Sequence, residues 1–332
     1  MKNKIIFFIL ILIIITACAI TTNNKAPLDV RLGFDGISIE FLKNTPPQKI
    51  FEGDIFPTII RAKNKGAYSI KDNDVAVLSL GVERDYTKNV QLLKEGKVIQ
   101  EGVGSSAFFS LNGKNQLNPN GEEEIISYNI EAGKIDPQSE AHPSTIIATL
   151  CYPYETVLES TICVDTDINN LRPGKTICSS QDLIFSSGQG APVAITKIEP
   201  LMLPLQLSDN QVTDKIKPQF LIYIENKGAG VVIKKDSVKD FCTKSDTTHE
   251  NFNIVYIDAF LSNKPLTCKL DVEERNGLGH IKLKDKKDMI RCALEEGIPR
   301  NIDPYLSPLK IVLKYGYTQS ISSSYFIQKP VG

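Results

Sequence analysis

Seven cysteines are the residues of this sequence with the most readily assigned chemistry. The six from Cys151 to Cys292 form an even set, which predicts three disulfide bonds in an oxidising compartment. Cys163 and Cys178 flank a turn-rich segment of fifteen positions, and we expect them to pair. Cys268 and Cys292 lie near strands predicted to be neighbours, so they are the expected second bond.

Cys151 and Cys242 remain, one in each half of the chain. Either they form a bond that links the two halves, or both are free thiols, a common state of cysteine in protein cores. The sequence contains no C-x-x-C pair, so a structural zinc site is not expected.

Asp165, Asp167 and Asn169 alternate along one short segment and are the best candidates for a metal site. Oxygen ligands at alternate positions are typical of Ca²⁺ loops, because this ion binds several hard oxygens. The sixth residue of the segment is Asn170 rather than glycine and the twelfth is Thr176 rather than glutamate, which excludes an EF-hand. The segment is therefore either a looser Ca²⁺ site or a polar turn, and no other cofactor is expected.

Few residues are suited to acid–base catalysis. His142, His249 and His280 are isolated and are expected in surface loops, and the acidic run 122–124 is expected to be a solvated strand entry. The signature motifs of serine hydrolases, zinc proteases and nucleotide-binding enzymes are absent. We expect a protein that is not an enzyme; the alternative is an enzyme with its site in an insertion at 83–120.

The composition excludes other classes of protein. The 332 residues include 38 Lys and Arg against 39 Asp and Glu, a net charge of −1, so no basic surface for nucleic acid is expected. A hydrophobic content of 42% is too high for a disordered chain.

The N-terminus predicts export. Two lysines precede the apolar run Ile5–Ile15, which has the length of a signal-peptide core rather than of a membrane span. The tetrad 15–18 resembles the lipobox of bacterial-type lipoproteins, which implies cleavage before Cys18 and lipidation of that cysteine. Two alternatives are cleavage after Ala19 and an uncleaved anchor over Ile5–Ile20. Each of the three predicts an exported chain at the cell envelope or outer surface.

Two short motifs recur at nearly one spacing. Residues 64–66 (Asn-Lys-Gly) return at 226–228, and 152–154 (Tyr-Pro-Tyr) return as Tyr-Gly-Tyr at 315–317, with offsets of 162 and 163. Repeated motifs in one order predict two homologous domains. The glycine of each Asn-Lys-Gly motif is expected to supply the positive φ of a turn.

The predicted organisation has five parts. They are a lipoprotein-type signal peptide (1–18), a tether (19–26), a first domain (27–185, here repeat 1), a linker (186–192) and a second domain (193–332, here repeat 2).

Apolar residues alternate with polar ones at a period of two, as in Ile37, Ile39 and Phe41, which predicts strands. Residues 285–296 look helical locally, but the repeat favours a strand over Met289–Leu294. Tyr315–Ile327 is expected to form a hairpin with its tip at 319–320, and Tyr152–Val164 to be its counterpart. About seven strands per repeat predict an all-β fold of two tandem antiparallel β-sandwiches.

The strand that ends in each Asn-Lys-Gly turn resembles the start of prokaryotic Ig-like domains of the cell-adhesion-related type. This resemblance implies tandem Ig-like sandwiches, with 83–120 and 231–252 as insertions. Phe108 and Phe109, inside the first insertion, are either an interface patch or a strand that covers the core. The expected function is a non-catalytic, surface-anchored binding or structural module, held on the membrane by its N-terminal lipid and binding a protein partner. The alternative is a subunit of a surface filament or envelope assembly.

Overall fold

A computed structural model describes residues 30–71, 74–102, 104–169, 177–206, 212–244, 248–269 and 279–330. The predicted signal peptide, the tether and Cys18 lie outside these residues, so cleavage and lipidation stay predictions. In the described part of the chain, no helix has the length and hydrophobicity needed to cross a membrane.

Repeat 1 consists of strands and turns. Its strands are β1 (Ile37–Phe41), β2 (Lys49–Phe51), β3 (Ile55–Asn64), β4 (Ala76–Gly81), β5 (Thr87–Lys94), β6 (Lys97–Glu101), β7 (Ser106–Phe109), β8 (Glu123–Ala132), β9 (Ala141–Val164) and β10 (Leu183–Ile184).

Repeat 2 adds ten strands and a short helix, α1 (Val238–Thr243). Its strands are β11 (Val193–Gln206), β12 (Val212–Asn226), β13 (Val231–Ile233), β14 (Ile254–Leu261), β15 (Lys264–Pro265), β16 (Thr267–Lys269), β17 (His280–Lys282), β18 (Lys287–Ala293), β19 (Ile298–Pro299) and β20 (Tyr305–Gln328).

The strands form three sheets. A five-stranded sheet has the order β1-β3-β8-β5-β6, a six-stranded sheet contains β10-β11-β12-β18-β16, and a nine-stranded sheet contains β15-β14-β20-β9-β4-β7. The ladder between β2 and β20 is parallel, and the other ladders among the described strands are antiparallel. The fold is therefore all-β, as the sequence predicts; whether each repeat is an Ig-like sandwich stays a prediction.

The two repeats have the same strand connectivity. In repeat 1, β1 pairs with β3 and β3 with β8, while β4 pairs with β9. In repeat 2, β11 pairs with β12 and β12 with β18, while β14 pairs with β20. The structure thus repeats the order of elements that the sequence motifs predict.

One pair of strands, β9 and β20, runs through both repeats. Each has 24 residues, and they pair antiparallel along their whole length, with Pro153 opposite Gly316. These two residues are also equivalent at the offset of 163, so an approximate twofold axis passes between them. The predicted hairpin with its tip at 319–320 is wrong, and so is its counterpart at 152–164. Both segments continue as single strands because each has a partner along its whole length.

The predicted strand faces are confirmed. Ile60, Ile222 and Leu313 are completely buried, whereas the side chains of Arg61 and Glu225 keep about a third of their surface or more exposed. On β9 the even-numbered residues from 144 to 158 are buried, and these positions lie on both sides of Pro153. The two smaller sheets therefore pack on the same face of the large sheet, and one hydrophobic cluster includes residues of both repeats.

The segment with local helical character is a strand, as the repeat predicts. β18 pairs with β12 on one side and with β16 on the other, so its long-range partners outweigh its helix propensity. Asp285 and Lys286 adopt positive φ in the turn that precedes it. Residues 83–120 are integral to the sheets, because β5 lies between β8 and β6.

Candidate functional site

Four tyrosines lie at the centre of the β9–β20 pair. Tyr152 faces Tyr317 and Tyr154 faces Tyr315 in register, and all four are buried. The rings of Tyr152 and Tyr154 meet edge to face with centroids 5.5 Å apart, and those of Tyr152 and Tyr317 are 5.7 Å apart. Such contacts stabilise a core beyond the burial of area alone. The Tyr-x-Tyr motifs are therefore the joint between the two repeats.

In repeat 1, the joint is tied to the Asn-Lys-Gly turn by hydrogen bonds. The Tyr154 hydroxyl donates to Asn64 Oδ1 (3.0 Å) and accepts from the Tyr68 N–H (3.3 Å). Asn64 Oδ1 also accepts from the Gly66 N–H (3.1 Å), and its Nδ2 donates to the carbonyls of Tyr68 (2.7 Å) and Leu111 (3.3 Å). We call these residues the Asn64 lock.

Repeat 2 contains the same arrangement, the Asn226 lock. The Tyr317 hydroxyl donates to Asn226 Oδ1 (3.1 Å) and accepts from the Gly230 N–H (2.8 Å). Asn226 Nδ2 donates to the Gly230 carbonyl (2.9 Å), and its Oδ1 accepts from the Gly228 N–H (3.1 Å). The recurrence of the two sequence motifs is thus explained by one hydrogen-bonding device used twice.

The glycines of these motifs serve close packing, and the expectation of a positive φ is wrong, because neither Gly66 nor Gly228 is among the positive-φ glycines of the described chain. A Cβ on Gly66 would lie 2.0 Å from the Tyr154 hydroxyl oxygen, and one on Gly228 would lie 2.2 Å from that of Tyr317. Only a residue without a side chain lets each hydroxyl reach its asparagine.

Burial keeps the joint uncharged. It raises the pKa of Tyr317 to about 12, and it raises the pKa values of Tyr152 and Tyr315 well above the ordinary value for a phenol. These phenols keep their protons at neutral pH, so the repeated motifs position the strands.

A cleft of about 370 Å³ opens beside this joint. Its walls come from both repeats: Ser38 and Ile39 of β1, the start of β13 with the turn before it (229–231), and residues 318–321 of β20. None of these residues is charged. The cleft takes no residue from 83–120, the segment in which a catalytic site is the alternative prediction.

One wall is an unpaired stretch of β20. On the edge away from β9, β20 pairs with β13 at 316–318 and with β2 at 326–328. In the described chain, no strand pairs with that edge over 319–325. The Phe326 N–H points to this edge, since it donates to the Gln48 carbonyl (2.9 Å). Alternate residues of a strand share one direction, so Ser320, Ser322 and Ser324 direct their N–H and C=O groups into the gap.

The opposite wall is the free edge of β1. The Leu42 N–H donates to the Ile59 carbonyl of β3, so even-numbered residues of β1 face β3 and the backbone of Ile39 faces the cleft. Gln319 Nε2 donates to the Ile37 carbonyl (2.5 Å) and joins the two walls at one end of the cleft. The cleft could not be predicted from the sequence, because it depends on which strand edges remain unpaired.

The structure contains both predicted disulfide bonds. Cys163 and Cys178 are bonded with their Cα atoms 5.8 Å apart, and Cys268 and Cys292 are bonded across adjacent strands with Cα atoms 4.0 Å apart.

Cys151 and Cys242 are also bonded, with Cα atoms 5.9 Å apart, so they link the two halves of the chain and are not free thiols. The bond fastens α1 of repeat 2 to the outer face of β9, next to Val77 and Val238 in a small hydrophobic cluster. The repeats are therefore linked covalently as well as by paired strands.

The metal candidates lie in the turn after β9. The Asp167 N–H donates to Asp165 Oδ1 (2.9 Å), Asp167 is buried, and Asn169 is exposed. Over the described ranges, no three His, Cys, Asp or Glu side chains converge in a group that could hold a metal ion. The arrangement of Asp165 and Asp167 is that of a polar turn, and the Ca²⁺ hypothesis stays a prediction.

The three histidines lie far apart in the sequence and on different elements. His142 Nε2 is 3.1 Å from a carboxylate oxygen of Glu83, and its ring stacks on that of Tyr86 with centroids 3.6 Å apart. His249 lies in a single turn of 3₁₀ helix, whereas His142 lies in β9 and His280 begins β17. The expectation of surface loops is therefore wrong for His142 and His280.

The acidic run 122–124 and the pair Phe108 and Phe109 are the two remaining candidates, and strands of the sheets contain residues of both. Glu123 begins β8 and pairs with Lys63 across the strands (3.5 Å), as expected of a strand entry. Phe108 and Phe109 lie in β7, and Phe109 packs against the core while Phe108 is half exposed. The strand interpretation of this pair is confirmed.

Comparison with known proteins gives little further information. No protein-family model and no curated protein sequence matches the chain. AvmM, which catalyzes macrocyclization in alchivemycin A biosynthesis, is similar over 36% of this chain and 74% of its own, with 16% identity and a TM-score of 0.22. The partial N-terminal region of enterococcal surface protein is similar over 91% of this chain and 96% of its own, with 8% identity and a TM-score of 0.19. Similarity at these TM-scores supports no statement about function.

Proposed function

We propose that the chain is an exported, non-catalytic module, anchored in a membrane through lipid on Cys18, that binds a protein partner at the cell surface. The observation that carries the proposal is the cleft between the free edges of β1 and β20, which unpaired backbone groups line. Three disulfide bonds support an oxidising, exported environment.

The structure supplies a rigid support for such a surface. The β9–β20 pair and the Cys151–Cys242 bond hold the two repeats together beside the cleft. Each asparagine lock fastens β9 or β20 to a turn of its own repeat. A preorganised site loses little conformational entropy on binding, so rigidity favours affinity. The proposed lipid requires two or more acyl chains for stable anchoring.

Fractionation of cells that express the full chain or Cys18→Ala tests the proposal. The wild-type chain is expected in the membrane fraction, with surface exposure to added protease, oxidised cysteines and an intact mass that includes lipid. The variant is expected to leave that fraction, and retention of purified protein on isolated envelopes measures binding. A cytoplasmic chain with reduced cysteines contradicts the proposal.

The filament or envelope-assembly alternative rests on a different edge. β6 is the outer strand of the five-stranded sheet, all five of its residues are exposed, and Val98 and Ile99 are apolar. Exposed strand edges promote association between chains. Sedimentation velocity over a range of concentrations decides this alternative: growth in size that Val98→Lys abolishes supports assembly, and a concentration-independent monomer contradicts it.

A further inference from the structure

We infer that the gap in β20 between β13 and β2 binds an extended, uncharged peptide segment of a partner protein by adding it as a strand. The inference rests on the proposed function and specifies its partner. The gap spans residues 319–325, which is about 23 Å of strand at about 3.3 Å per residue.

Backbone chemistry defines the occupant. Ser320, Ser322 and Ser324 present N–H and C=O groups to the gap, and a second extended backbone satisfies such groups with regular hydrogen bonds. The same edge already accepts an antiparallel strand at one end and a parallel strand at the other. Its geometry is therefore suited to strand pairing.

The strands at the two ends of the gap, β13 and β2, leave room for one extended segment and not for the edge of another sheet. β13 ends the gap at Val231 and β2 ends it at Lys49, so the flat edge of another sheet would meet both before it reached Ser322. A free segment of about five to seven residues fits between them. This geometry favours a flexible segment of a partner over the sheet edge of a second copy.

The absence of charge distinguishes this edge from its counterpart in the other repeat. Residues 315–328 of β20 contain no charged residue. At the offset of 163, Thr318 and Ser322 correspond to Glu155 and Glu159 of β9, where Glu159 forms an ion pair with Lys310. Charged residues protect strand edges from unwanted pairing, so β9 is protected and β20 is open.

The side chains around the gap indicate which residues of the bound segment should be apolar and which should be polar. Ile321 points inward and packs against the core, and Ile39 lines the opposite wall, so apolar residues of the segment should face inward. Ser320 and Ser322 point to the exposed outer face, where small hydroxyl-bearing residues fit beside them.

The probe is a heptapeptide of alternating threonine and valine, flanked by lysine pairs for solubility. Its control is the same peptide with N-methyl groups at alternate positions, which removes the donors on one edge. The full chain in detergent is titrated with each peptide, and hydrogen exchange of its backbone amides is measured. We expect binding of the first peptide, with protection of the Ser320, Ser322 and Ser324 amides, and no binding of the control.

Ser322→Pro removes the N–H that points into the gap and leaves the β9 ladder intact, since the N–H groups of even residues point away from β9. Ser322→Ala keeps this N–H and is the matched comparison. We expect the proline variant to bind the peptide at least tenfold more weakly than the alanine variant. The N-methyl control gives the same information on the unmodified chain if the proline variant does not fold.

Equal binding of both peptides, or exchange at 320–324 that the peptide leaves unchanged, overturns the inference. Self-association of the chain that Ser322→Pro abolishes also overturns it, because the edge then binds a second copy. If the peptide fails to bind while the chain is exposed on cells and retained on envelopes, the inference fails and the proposed function stands.

Discussion

Replacement of Asn64 by alanine tests the interpretation of the repeated motifs as a structural lock. The Asn64 side chain makes four hydrogen bonds, and that of Asn226 makes three. At a net value of about 1 kcal/mol each, Asn64→Ala should lower the free energy of unfolding by about 4 kcal/mol and Asn226→Ala by about 3 kcal/mol. Both asparagines are buried, so their abandoned partners have little access to water.

Equilibrium unfolding in guanidinium, with the disulfide bonds intact, measures these changes by circular dichroism and tyrosine fluorescence. Glu225→Ala is the control, because this residue lies on the same strand as Asn226 and about a third of its side chain is exposed. It should change stability by no more than about 0.5 kcal/mol. A double-mutant cycle with Tyr154→Phe isolates the bond between the Tyr154 hydroxyl and Asn64, with an expected coupling of about 1 kcal/mol. A loss below about 1 kcal/mol for Asn64→Ala, together with no coupling, would refute the lock.

Three further predictions concern the same joint. Gly228→Ala should destabilise the protein by about 1–3 kcal/mol, and Tyr317→Phe in the same chain should restore part of the loss, because it removes the hydroxyl that a Cβ would meet; unfolding curves of the single and double variants check this. Removal of the Cys151–Cys242 bond by a double alanine substitution should cost about 5 kcal/mol in the chain-entropy model, since the bond closes a loop of 91 residues; a melt unchanged from wild type contradicts it. Stability should be complete below about pH 10, where tyrosine ionises in an unfolded chain, and should fall towards pH 12, because burial raises the pKa of Tyr317 to about 12. Tyrosinate absorbance should then rise together with unfolding, and full ionisation in a folded chain would contradict this expectation.

Local alternation and the repeat predicted two of the strands correctly, β1 and β18. Ile37, Ile39 and Phe41 alternate, and they lie in β1 as expected. For 285–296 the local signal favours a helix, and only comparison with the other repeat favours the strand that the structure contains. For this segment the second copy of the pattern supplied the information that the local signal lacked.

The long strands could not be predicted in the same way. Residues 315, 317, 321, 325 and 327 are aromatic or aliphatic and share one face of β20, and the predicted tip at 319–320 contains no Gly, Pro, Asn or Asp. What keeps the chain extended there is its pairing with residues of β9 that lie about 160 to 185 positions earlier in the sequence. Register between distant strands is a property of the assembled sheet, so a single sequence does not specify it locally.

The candidate site was missed because it arises from a difference between two similar repeats. β11 is the counterpart of β1, and its edge away from β12 pairs with β10, where Leu183 lies opposite Ile198. Ile198 of β11 pairs with Ile222 just as Phe41 of β1 pairs with Ile60, so the outer edge of β11 is equivalent to the outer edge of β1. No strand in the described chain covers β1 in this way.

The features that the repeats share, namely the locks and the paired tyrosines, account for stability. The features that differ are the uncovered edge of β1 and the uncharged stretch 315–328 of β20, and they meet at one cleft. Because both copies need the shared features to fold, selection for binding can act on the edge that only one copy leaves open.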